Sequence, residues 1–159
     1  MCNETPSIRG FRYIVVQKPI ALRAYPREAV VAEKLEALVK LGMPSTWMKD
    51  FYGLWKLSHD FNFDGDLLTN AIKSTFKRKR TDVPSDTPLA LTDEFSRDSQ
   101  KAKQWQTFLK KSGLDHDQAA LHTVVAQLTR FLIASLRAAL SSRNLSWTWP
   151  KGGPWLPGC

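Results

Sequence analysis

Residues 28–41 read EAVVAEKLEALVKL, a run of strong helix formers with Glu28 in the first turn, where the helix dipole favours an acid. Successive helical residues lie about 100° apart, which puts Val30, Val31, Leu35, Leu38 and Leu41 on one arc and Glu33, Glu36 and Lys40 on the other. The stretch therefore predicts an amphipathic helix, ended by Gly42. Lys34 breaks the pattern. It falls between Leu41 and Leu38, near the middle of the apolar arc, where an ammonium loses hydration unless it snorkels, finds a partner or lines a cavity.

A second helix is expected from Ser45 or Thr46, as N-cap, to about Asp60. Trp47, Met48, Phe51, Leu54 and Trp55 gather on one side, Lys49, Lys56 and Asp60 on the other, and Asp50 falls between Leu57 and Phe61. Two consecutive helices thus bring opposite charges, Lys34 and Asp50, to their apolar surfaces, and antiparallel packing would let them meet. Two readings stay open. One is a half-buried ion pair, the common fate of charges at a core edge. The other is a cleft for phosphate chemistry, with Lys34 neutralising phosphate oxygens and Asp50 holding Mg²⁺ or orienting the attacking group.

Upstream, residues 1–10 read as a loose leader, and Tyr13–Val16 and Ile20–Ala24 as two short strands with Pro26 opening the first helix. Two strands alone make no stable sheet, so they are expected to be the edge of a larger structure. Downstream, a third helix starts at Asp64 as N-cap and runs through Leu68, Ile72 and Phe76 into Lys77, Arg78, Lys79 and Arg80. A proline-bearing connection over 81–91 leads to a fourth helix, capped by Thr92 and reaching Lys111. The longest helix is expected over 115–142, where Leu121, Val124, Val125, Leu128, Leu132, Leu136 and Leu140 recur at spacings of three and four. The terminal WTWPKGGPWLPGC reads as an extended tail lying against the bundle. The fold class is mainly α, a bundle of about five helices with a short two-strand remnant. Its parts are 1–26 (leader and strands), 27–143 (helical domain) and 144–159 (tail).

A chain of 159 residues, 43% hydrophobic and 24% charged, can bury a core as one domain. No run of about 18 apolar residues occurs and no signal-type stretch opens the chain, so a cytoplasmic protein without a membrane partner is expected. Cys2 and Cys159 stand at opposite ends, and His59, His116 and His122 are scattered, so neither a disulfide framework nor a metal site is suggested. The net charge of +8 favours an acidic partner such as RNA. Lys77–Arg80 could grip phosphates, although such a run usually serves as a solvated helix end. Trp147, Trp149 and Trp155 could stack bases, although burial suits the tail better.

From Tyr25 onward, YPREAVVAEKLEALVKLG, MKDFYGLWKLSHDFNFDG, LALTDEFSRDSQKAKQWQTFLKKSGL and the terminal WPKGGPW together resemble the carboxy-terminal half of the AbiEii/AbiGii nucleotidyltransferase toxins of type IV toxin–antitoxin systems. The resemblance implies the carboxy-terminal part of a polymerase-β-like nucleotidyltransferase, with a nucleoside triphosphate and Mg²⁺ as cofactors and an RNA such as tRNA as acceptor. It implies catalytic roles for Lys34, in the Glu33-Lys34 motif, and for Asp50, in Lys49-Asp50. Glu33, Lys49, Lys77 and Arg78 become candidates for nucleotide or phosphate binding. The Gly-Ser and paired-aspartate motif of the family's amino-terminal domain is not in this sequence, so the chain is expected to be inactive alone and to bind neither cofactor by itself. A split enzyme completed by a separate amino-terminal half, or a non-catalytic module binding antitoxin or RNA, are the alternatives. Two positions depart from the family pattern: Trp47 replaces an arginine, and Gly53 replaces an aspartate.

Overall fold

The computed structural model describes residues 13–16, 23–40, 44–114 and 119–158. The expected leader, the turn at Gly42, both cysteines and His116 lie outside them. Strand β1 (Tyr13–Val16) pairs antiparallel with β2 (Arg23–Pro26), matching Tyr13 to Pro26 and Val16 to Arg23. The second strand starts later than the expected 20–24 and runs directly into helix α1 (Arg27–Val39). Pro26 takes the extended N-cap conformation there, and its fixed φ suits that junction.

Helix α2 (Pro44–Asp60) begins just before the expected serine or threonine cap, since proline is well suited to a first helical position. Helix α3 (Gly65–Arg78) starts as expected, Asp64 accepting a hydrogen bond from the Leu67 amide at 3.0 Å. The predicted fourth helix is two. Thr92 caps a single turn, α4 (Asp93–Ser96), and the chain then breaks at Arg97 so that Asp98 caps α5 (Ser99–Lys111), accepting from the Lys101 amide at 3.0 Å. The second cap residue competes with helix continuation by offering its carboxylate to the backbone. A 3₁₀ turn at Leu89–Leu91 precedes them.

Helix α6 (Leu121–Leu140) is the structural axis, packing on α2, α3, α4 and α5. It is long and apolar enough to cross a membrane by length and composition, yet half of that span is buried inside the molecule. Val124, Leu128, Phe131 and Leu132 have no exposure at all. α1 completes the bundle by packing on α3 and α2, burying Val31, Ala32, Leu35 and Leu38.

The tail lies against the bundle, but not as a loose strap. β4 (Trp147–Trp149) pairs with β3 (Phe63–Asp64) on one side and with β5 (Leu156–Pro157) on the other, both antiparallel. Trp149 and Trp155 are buried on Phe131, at centroid distances of 4.8 and 6.2 Å. Their indole N–H groups donate to the carbonyls of Ser58 at 2.8 Å and Phe131 at 3.0 Å, which satisfies the buried polar tips. Trp147 stays 42% exposed. Gly65 makes the junction possible, because a Cβ there would stand 2.3 Å from the Leu145 carbonyl oxygen.

Candidate functional site

Lys34 and Asp50 meet across the seam between α1 and α2. The ammonium lies 3.6 Å from Asp50 Oδ1, and the two side chains keep 26% and 16% exposure. They form an ion pair at the core edge, open enough for water or a ligand to reach it. Burial pushes the Asp50 carboxyl above its ordinary value, and the charges of Lys34 and Lys49 pull it back only partly.

Gly53 explains how the lysine reaches. A Cβ on Gly53 would stand 3.0 Å from Lys34 Cε and 3.1 Å from Nζ, so the lysine stem lies directly over the glycine, one turn along α2 from Asp50. A side chain longer than hydrogen at 53 would point at the ammonium. The aspartate that the family pattern carries at this position would therefore be a second carboxylate facing Lys34. Trp47, the other departure, is a core residue: it is 4% exposed and packs on Phe95 at 5.3 Å, an environment that favours an aromatic ring over a charge.

A second charged cluster joins α1 to the end of α3. Glu33 pairs with Arg78 and, at 2.9 Å, with Lys79. Burial raises the Glu33 carboxyl, but hydrogen bonds from Lys79 and Arg78 outweigh it and hold the group below its ordinary value. Glu36, placed on the solvent side by helical spacing, is only 2% exposed. It accepts a hydrogen bond from the Thr81 hydroxyl at 2.6 Å and pairs with Lys79 at 3.6 Å and Lys40 at 3.8 Å. The correction has a physical cause: the chain leaving α3 folds over this face of α1 and brings its own partners. The basic run is thus half neutralised, and Arg78 and Glu33 are engaged with each other. No described carboxylate pairs with Lys49 or Lys77, both exposed.

His59 and His122, far apart in sequence, line one cleft of about 390 Å³ with Trp55, Asp93, Arg97 and Arg130. Their convergence had no local signal. Among the described residues no three of His, Cys, Asp and Glu gather closely enough to hold a metal ion. Asp50 has no second carboxylate beside it, so the donor set there does not fit Mg²⁺, while Lys34 fits a phosphate oxygen.

A mainly α protein with a lysine–carboxylate pair at the seam of two antiparallel helices, half open to solvent, is of the class that can serve phosphate chemistry from one side of a site. The chain belongs to the family described as nucleotidyl transferase AbiEii toxin, type IV TA system, whose model matches residues 2–132. The match starts earlier than the motifs of the sequence suggested and stops within α6, so WPKGGPW lies beyond it. No curated protein and no solved structure matches the chain. Membership makes the chain a toxin of nucleotidyltransferase type and implies a cognate antitoxin as its partner in the system.

Proposed function

We propose that this chain is the helical, carboxy-terminal portion of a nucleotidyltransferase toxin, acting in the cytoplasm on an RNA such as tRNA, and that it is inactive alone. In this reading Lys34 neutralises the triphosphate of the incoming nucleotide and Asp50 orients the reacting groups, with Lys49 and Lys77 as flanking cations. The observation that carries it is the convergence of Lys34 and Asp50 in a half-open pair at 3.6 Å, within the family match. Nucleotidyl transfer joins an RNA hydroxyl oxygen to the α-phosphorus and releases pyrophosphate. The Mg²⁺ that supports such transfer supplies charge neutralisation when bound, and the carboxylates for it would come from a separate amino-terminal half, as in a split enzyme. This chain's own contribution is a fixed positive charge at the phosphates, which costs no reorganisation during reaction.

The test is label transfer from nucleoside triphosphates to total tRNA in Mg²⁺. The purified chain is expected to incorporate nothing. Robust incorporation that disappears in Lys34→Ala would overturn the dependence on a second half while keeping the role of the lysine.

A further inference from the structure

The cleft of about 390 Å³ between α2, α4 and α6 is of a size that takes a small ligand. Its cations are uncommitted: no described carboxylate forms an ion pair with Arg97 or Arg130, although Asp93 lines the same cleft. This is the opposite of the Lys77–Arg80 run, whose Arg78 and Lys79 are taken up by Glu33 and Glu36. The cleft also has an aromatic wall, where His59 stands edge-on to Trp55 at 5.1 Å. At the far side, the first turn of α6 contributes His122, and that helix has neither an acid in its first turn nor a side-chain cap. Two guanidinium groups beside an indole and two imidazoles is a combination that takes a phosphate and a base together.

We infer that this cleft binds a nucleotide unit of single-stranded RNA, its phosphate on Arg97 and Arg130 and its base against Trp55 and His59. The site is distinct from the Lys34–Asp50 pair. At about 100° per residue, Trp55 and His59 lie about 140° and 180° around α2 from Asp50, on the other side of the helix. It therefore stands whether or not the chain takes part in nucleotidyl transfer.

The experiment is fluorescence anisotropy of a short, labelled single-stranded RNA with the full chain, across a salt series. Arg97→Glu/Arg130→Glu is compared with Lys103→Glu/Lys110→Glu, which makes the same charge change on the exposed face of α5. Unchanged circular dichroism and melting establish that each variant is folded. The cleft variant is expected to bind at least about tenfold more weakly and to lower the salt slope by about 1.4, or about 0.7 for each lost phosphate contact. The α5 variant should keep the wild-type slope. Equal weakening in both variants, or no binding by the wild-type chain at low salt, would overturn the inference. Inorganic polyphosphate should compete about tenfold less well than RNA, because it has no base to stack, and equal competition would also overturn it. Adenosine monophosphate separates the two sources of a nucleotide unit. A shift of the Trp55 indole resonance with the mononucleotide marks a site for free nucleotides as well, and a shift with RNA alone marks one that reads a strand. A Trp55 resonance unmoved by either would refute the assignment.

Discussion

Replacing Lys34 by methionine and Asp50 by asparagine should have unequal effects, and the inequality follows from the geometry. Two unit charges at 3.6 Å attract by about 4.6 kcal/mol at an effective dielectric constant of about 20. Water reaches both ends, so only part of this survives as stability. Burial acts on Asp50 more strongly than Lys34 and Lys49 together and leaves its carboxyl above the ordinary 3.8. An ionised Asp50 therefore costs the fold at neutral pH, even with its partner present. Asp50→Asn removes that cost and leaves a lysine that can reach solvent, so stability should be unchanged or higher by up to about 1 kcal/mol. Lys34→Met removes the attraction but keeps an apolar stem on the apolar arc, for a net loss of about 1–2 kcal/mol. The sign with pH is fixed by the raised value. The cost of the carboxylate is present above the folded pKa, is relieved as pH falls through it, and is gone below 3.8. Both the deficit of Lys34→Met and any advantage of Asp50→Asn should accordingly shrink on acidification. Urea unfolding of the wild type, both single variants and the double variant, at neutral pH and in steps down to 3.8, measures all of this. A loss of about 3–5 kcal/mol in each single variant, recovered in the double, would refute the reasoning and mark a fully buried pair.

Gly53→Ala should raise stability by about 0.5–1 kcal/mol, because the helix gains a better former and the only close neighbours of the new methyl, Lys34 Cε and Nζ, are the end of a flexible chain. A fall in melting temperature would mean that the lysine cannot move. Trp149→Ala should cost about 3–5 kcal/mol, since it empties a site 1% exposed, strips the ring from Phe131 and removes the donor to Ser58; a chemical unfolding curve shifted by less than about 1 kcal/mol would show that the tail is dispensable. Glu33, with its carboxyl held below 4.5, contributes stability that is fully present above that value and is lost as pH falls through the lowered one. Glu33→Gln should therefore flatten the acid limb of the stability curve, and an unchanged limb would exclude the Arg78 and Lys79 contacts as its cause.

The amino-acid order by itself settled the helices, because their apolar spacing and caps are local. Asp64 as an N-cap, the break-prone Tyr25-Pro26 junction and the apolar stripe of α6 all carry their signal within a few residues. It also settled that Lys34 and Asp50 sit on faces where charges are costly, and the family motifs fell on the same two residues. Where the signal was not local, the order of residues was silent or misleading. Glu36 reads as a solvent-facing acid on its own helix and becomes buried only because Lys79 and Thr81, 43 and 45 positions away, fold over it. Thr92 announces a helix that Asp98 then interrupts, since two caps of similar strength compete and packing of Phe95 against Trp47 and Phe51 decides between them. The tail pattern could suggest an extended segment but not its pairing with a strand of two residues at Phe63–Asp64, which has no propensity signal of its own. The cleft of His59, His122, Arg97 and Arg130 lay beyond reach for the same reason: each residue is unremarkable on its helix, and only the crossing of α6 over α2 and α4 sets them side by side.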